Sequence, residues 1–306
     1  MKRVVSFCIA LVGVCAIAAG TAAYAVYKGG TENDEENAVS VKNVYSSENN
    51  ETSENSDIRK LKKAVLPDKA AKNDVYYMML NSVDYYDNIS GEVYYPSVSD
   101  KSIISAVQFR SSLSDTRSYS HYKEIADDKT SEEPAEENVV DILNTSDNIV
   151  TDIERYCTSE KETVKDNIKK TYSKSMYNVV TLDNSDFIPN NQRVTKAPDG
   201  NPCYSYRCDP SNLPEARICV FPQEMAFGFL TDQTLWDISD ITEQNGISCY
   251  HIKGKTNEEY GDKLNVKTFE MFVSTDTGVL IKYVGYNSDD VISDYIYTKN
   301  ISFSEQ

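Results

Sequence analysis

Histidine, tryptophan and positive charge are scarce in this sequence. It has two histidines and one tryptophan in 306 residues, and 31 Lys+Arg against 48 Asp+Glu. His121 and His251 lie far apart and accompany no G-x-S-x-G elbow or papain-like motif, so the sequence offers no recognisable nucleophile–histidine set. No phosphate loop or dinucleotide fingerprint is present, and no cofactor is implied. The net charge of -17 repels phosphate backbones, which excludes nucleic acid as a partner. It also opposes docking on an anionic membrane through overall charge alone. The cysteines follow C-x4-C-x10-C through Cys203, Cys208 and Cys219, a poor match to zinc-ligand spacing, so no metal site is expected. Adjacent carboxylates such as Asp127-Asp128 and Asp289-Asp290 read as turn residues before catalysts.

Tyrosine, by contrast, is abundant: the chain has 22. It favours strands and buries a ring while leaving a hydroxyl wet.

The organisation reads in three parts. Met1-Lys2-Arg3 is a basic start, and Val4 to Val26 carries no charge before Lys28. As a helix that run rises about 34 Å, enough to span hydrocarbon. It fits a retained membrane anchor. "TAAYA", Thr21 to Ala25, also fits a signal-peptide cleavage site, and Cys15 in "LVGVC" resembles a lipid-modified cysteine. Each reading over residues 1–28 sends the rest of the chain out of the cytoplasm, single-pass if anchored and secreted if cleaved. Residues 29–69, with "TENDEEN" and "SSENNETSENSD", lack the apolar surface needed to offset ordering entropy and read as a disordered acidic linker. Such a tether spans about 30–35 Å root-mean-square.

Residues 70–306 read as one exported domain. Val75, Met79, Val83 and Tyr86 share helical spacing, which predicts a helix ending before Gly91. "EVYY", "SIISAVQFRSSL" and "RSYSHYKEIA" alternate as strands, with Ile103, Ser105, Val107 and Phe109 on one face of the second. An acidic loop, Glu132 to Glu137, interrupts them. "NIVTDIERYCT" and "KETVKDNIKKTYSKS" read as the next two strands, the second with helical character as the alternative. In "FPQEMAFGFL", Phe221, Met225 and Phe229 fall at i, i+4 and i+8 behind Pro222, a short helix with a buried aromatic stripe. Four strands close the chain: Gly246–Lys255, Val266–Ser274, Val279–Tyr286 and Val291–Phe303. Phe269, Met271 and Val273 share one face of the second. Short connections such as "STDTG" and "YNSDD" imply an antiparallel meander.

The run "NGISCYHIKGK … KTFEMFVSTDTGVLIKYVGY … YTKNISF" resembles the closing meander of the LolA-like superfamily. That group includes the bacterial lipoprotein carrier and the RseB/MucB-type periplasmic regulators of sigma-factor signalling. The resemblance covers Asp74 to Phe303 and is clearest from Ile218 onward. It implies an α+β fold: a curved antiparallel half-barrel with helices plugging its concave side. It also implies that the chain binds a lipid acyl chain or an envelope protein and is not an enzyme. No catalytic residue carries over.

Candidate ligand-lining residues are Phe221, Met225, Phe229 and Trp236, with Phe269, Met271 and Tyr283 from the meander. In an exported domain, Cys203, Cys208, Cys219 and Cys249 are candidates for disulfides, with Cys157 left over. The function expected is a membrane-tethered binding module. The alternatives are a secreted hydrolase of cell-wall or glycan substrates, which needs two convergent carboxylates, and a purely structural surface protein.

Overall fold

In the computed structural model, residues 69–97, 100–126, 142–144, 147–176, 179–185 and 187–304 are described. The leader over 1–28, the linker up to Asp68 and the acidic run Glu132 to Glu137 lie outside the described residues.

The described residues open with helix α1 (Lys69–Leu80). Val75, Met79 and Leu80 are fully buried. The helix stops at Leu80, earlier than its spacing suggests, because a tight 3-10 turn over Ser82–Asp84 follows. Val83 and Tyr86 are buried all the same. Helical spacing therefore marks the buried face correctly and overestimates the helix.

An eleven-stranded sheet then forms from two meanders. The first comprises β1 (Asn88–Pro96), β2 (Ile103–Ser112), β3 (Arg117–Ala126), β4 (Ile149–Thr158), β5 (Lys161–Asp166) and β6 (Thr171–Ser175). "KETVKDNIKKTYSKS" is thus two strands joined by a turn. A small ladder of β7 (Val194–Lys196) and β8 (Pro202–Tyr204) follows, then helix α2 (Arg217–Val220) and helix α3 (Gln223–Met225), which continues as a π turn over Ala226–Leu230. The second meander is β9 (Trp236–Gln244), β10 (Ile247–Lys255), β11 (Thr268–Ser274), β12 (Leu280–Tyr286) and β13 (Ile292–Ser304), with helix α4 (Glu258–Leu264) between β10 and β11. The sheet order is β6-β5-β4-β3-β2-β1-β13-β12-β11-β10-β9, antiparallel throughout, so β1 and β13 weld the two meanders.

The sheet is open and curved. Register shifts interrupt the β1–β13, β3–β4, β9–β10, β11–β12 and β12–β13 ladders, and such bulges bend a sheet and raise its twist. At the first of them, a Cβ on Gly91 would meet Ile301 Cδ1 at 2.5 Å, so a larger residue would require the Ile301 side chain to move. The turns follow their chemistry. Asn245 and Gly246 both take positive φ, as a two-residue hairpin turn requires. Asn287 Oδ1 accepts from the backbone N–H groups of Asp289 and Val291 at 2.9 and 3.0 Å, so the Asp289-Asp290 pair serves the β12–β13 turn.

Alternation divides the sheet into two faces. Ile89, Val93, Val107, Phe109 and Tyr122 point inward, into one core with α1, α2, α3 and the π turn. On the outer face a smaller cluster of Tyr94, Ala106, Val284, Tyr295 and Tyr297 is met by Leu143. Among the described residues no helix is long and apolar enough to cross a membrane.

Candidate functional site

The inner face holds all seven residues expected to line a ligand. Phe221, Met225, Phe229, Trp236, Phe269, Met271 and Tyr283 are buried within one core. Phe229, on the π turn, meets Phe269 at 5.0 Å, Tyr283 at 5.1 Å and Tyr260 of α4 at 5.1 Å, each edge to face. Such pairs add about 0.5–1.5 kcal/mol each beyond burial. Gly228 permits this approach, since a Cβ there would meet the Tyr260 ring at 2.4 Å. The Trp236 indole donates to the Leu230 carbonyl at 3.1 Å. Lys72 of α1 lies 5.1 Å over the Trp236 ring.

Buried charge fixes the plug to the sheet. Arg155 of β4 donates to Glu215, just before α2, at 2.9 and 3.2 Å, and also pairs with Glu162 of β5. Ser120 adds a hydrogen bond to Glu215 at 3.2 Å. Arg207 grips Asp84 with two bonds of 2.7 and 2.9 Å. Beside it, Arg193 is fully buried and donates to Gln223 Oε1, the Leu80 carbonyl and Asn81 Oδ1. Burial, and then the neighbouring Arg207 charge, bring the Arg193 pKa down to about 10.

No disulfide joins the candidate cysteines. Cys157, Cys203, Cys208, Cys219 and Cys249 are all free thiols. Cys219 and Cys249 are buried and hydrogen-bonded to the carbonyls of Ala216 and Ile247, which commits them to packing. Burial pushes the thiols up, Cys157 to about 11 and Cys249 to about 12, away from nucleophilic character. Both histidines sit in carboxylate pairs on the outer face: His121 with Asp152 at 3.0 Å, and His251 with Glu270 at 2.9 Å while stacked on Phe272. Among the described residues no three ligating side chains converge to hold a metal.

Space for a ligand lies instead on the outer face. The register lines up one row across seven strands: Ser302, Ser90, Arg110, Tyr119, Tyr156, Thr163 and Lys174. Their inward neighbours Ser111, Ser118 and Ser120 reach the plug, so alternation turns Arg110, Tyr119 and Tyr156 away from it. A cavity of about 490 Å³ opens over this row, flanked by Arg117, Ser112, Thr158 and Ser304. A second of about 390 Å³ continues it past Gln108 and Asn300, sharing Ser90, Arg110 and Tyr119. None of the seven expected lining residues touches either cavity.

Cationic and aromatic side chains line this groove. Arg110 lies 5.2 Å over the Tyr119 ring, which is 4.8 Å from Tyr156. Among the described residues neither Arg110 nor Arg117 has a carboxylate partner, and both are exposed. Burial, then neighbouring Tyr156 and Glu154, raise the Tyr119 pKa, so its hydroxyl stays a donor. One row along, Asn167 bridges Asp152 and Glu154 at 2.7 and 3.0 Å, which brings two carboxylates together. Hydrogen bonds from Lys165 and Asn167 hold Glu154 at about 2, the wrong direction for a general acid. Two free guanidinium groups, flat rings and a fringe of hydroxyls suit recognition of carboxylates and amides. Sequence reasoning missed this site.

No family model matches the sequence, and no curated protein matches it. Among solved structures the chain is similar to the MucA/MucB complex of Pseudomonas aeruginosa, with 10% identity over 76% of this chain and 56% of that chain, at TM-score 0.36. It is also similar to the lipoprotein LppX of Mycobacterium tuberculosis, with 9% identity over 77% and 95% of the two chains, at TM-score 0.35. A LolA superfamily protein of Nitrosomonas europaea matches with 6% identity over 76% and 94%, at TM-score 0.23. The match spans little more than half of the MucB chain. The fold is an open, curved antiparallel sheet with helices on one face.

Proposed function

We propose that this protein is a non-enzymatic extracytoplasmic binding module, held at the membrane by its N-terminal segment, that grips a partner protein with the outer face of its sheet. One observation carries the reading. The inner face is filled by the protein's own aromatic plug, while two arginines with no carboxylate partner among the described residues and two tyrosines line open space on the other side. A guanidinium left without a carboxylate is a ready receptor for acidic or amide groups of a polypeptide. An acyl chain would have to displace Phe229 and Tyr283, at the energetic cost of emptying a packed core.

The test uses the full chain in its native host with a photoreactive residue at position 156, and another at Asp240 on exposed β9 as control. The expected result is one specific polypeptide captured from position 156, not from position 240, and lost in Arg110→Gln/Arg117→Gln. Stoichiometric lipid extracted from the purified protein, with no such capture, would return the acyl-chain alternative and overturn the partner reading.

A further inference from the structure

The β5–β6 hairpin at the edge of the sheet shows a second surface. Its inward side chains meet the body of the protein: Glu162 pairs with Arg155, and Val164 is opposite Arg155. Alternation then sends Lys161, Thr163 and Lys165 of β5 outward, facing Tyr172 and Lys174 of β6, with Met176 following on the same side. This outer face carries no carboxylate of its own strands. Lys165 pairs with Glu154 of β4, and Lys161 and Lys174 have no ion pair among the described residues. Tyr172 is 68% exposed and Met176 70%, and Ile168 at the turn is 47% exposed. Lys169 and Lys170 flank Tyr172 from that turn; Asp166 accepts from the backbone N–H groups of Ile168 and Lys169 at 3.0 and 2.8 Å and pairs with the Lys169 ammonium at 3.2 Å.

We infer that this hairpin face docks on an anionic lipid bilayer. Lysines alone would suit any polyanion. The exposed ring of Tyr172 and side chains of Ile168 and Met176 gain nothing from a soluble one, but they do gain from the headgroup boundary, where amphipathic rings and lysines sit together. The net charge of -17 does not forbid this. Charges farther than about 8–10 Å from the lipid are screened at physiological salt, so the hairpin's own lysines dominate. Each lysine near an anionic surface contributes about 1 kcal/mol. The inference goes beyond the partner reading and stands without it, because the groove lies over β1–β4 and β13. Docking here would bring that groove close to the lipid.

The single native indole, Trp236, is buried, which makes fluorescence a local probe. Tyr172→Trp in the full chain is mixed with vesicles whose acyl chains are brominated. With phosphatidylglycerol-containing vesicles the introduced indole is expected to be quenched and blue-shifted, and with pure phosphatidylcholine it is not. Adding Lys161→Gln/Lys174→Gln raises the lipid concentration needed by about 30-fold, from about 1 kcal/mol per lysine. The N-terminal segment leaves this readout intact, because quenching reports depth at the hairpin alone. Absence of quenching, equal quenching in both vesicles or indifference to the lysine changes would overturn the proposal. So would a spectral shift with a poly-glutamate peptide and none with vesicles, in favour of an acidic polypeptide. Because Tyr172 and Lys174 are exposed and Lys161 is half-buried without an ion pair among the described residues, unchanged circular dichroism is expected in every variant.

Discussion

The two ends of the sheet share one antiparallel ladder and differ in what covers them. At the β9–β13 end the inner face is sealed by the π turn, α1 and α4, and on β11 Phe269, Met271 and Val273 are buried. At the β4–β6 end every residue of β6 is exposed or half-buried, and Tyr156, Tyr172 and Met176 face solvent. The same alternation thus makes a core where a plug exists and a working surface where it does not. A strand's pattern specifies faces; only the covering element decides which face is buried.

The contrast breaks first at Phe229. Its ring is the hub between Phe269, Tyr283 and Tyr260. Phe229→Ala should lower unfolding free energy by about 3–5 kcal/mol, read as a fall in urea midpoint at constant slope. A loss below about 1 kcal/mol would mean that the plug is loose and the inner face open to ligand after all.

The next effect concerns the insert. Arg207→Ala removes the two-bond grip on Asp84, takes a donor from Ser185 and leaves Asn81 Oδ1 with Arg193 alone. A cost of about 2–3 kcal/mol is expected, with increased proteolysis across β7 and β8 as the local readout.

Much of the sealed end was legible. Phe221, Met225 and Phe229 at i, i+4 and i+8 mark one buried stripe, and the alternation of β11 and β12 marks the inner face. Strand β9 escaped notice because it is an edge: only Trp236 of its nine residues is fully buried, and its acidic outward positions mask the period. The open end was harder. Lys165 and Lys169 stand four apart, as on a helix face, while Lys170 in fact takes φ of 57° to turn the hairpin. The groove could not be read at all, because its row is assembled from seven strands and register is a tertiary property. The cysteine count suggested pairing, but burial and carbonyl bonds account for Cys219 and Cys249 singly.

Acid should move the two ends in opposite directions. Glu154 on β4 titrates at about 2 against a usual 4.5 because Lys165 and Asn167 bond its ionised form. Its contribution is complete above about pH 4.5 and is lost as pH falls toward 2. At the sealed end, burial raises Glu224 and Asp294, so their ionised forms oppose folding above their folded pKa values. Lowering the pH through those values protonates them and relieves that penalty. Hydrogen exchange at pH 5 and pH 3, corrected for intrinsic rates, should therefore show protection falling in β4–β6 before β11–β13. Uniform loss would mean that the ends do not titrate separately.

The smallest effect sharpens the comparison most. Tyr172→Ser removes a large ring from an edge strand, and by size alone it rivals Phe229→Ala. Yet the ring is 68% exposed and meets no other aromatic ring among the contacts of the described residues. There is little area to return to water and no cavity to leave behind, so neither term of a core truncation applies. What remains is strand propensity at an edge, a few tenths of a kcal/mol. The urea midpoint should shift by no more than about 0.5 kcal/mol equivalent. A shift above about 1 kcal/mol would show that the hairpin is covered in the isolated protein, and the division into a sealed end and an open end would fail with it.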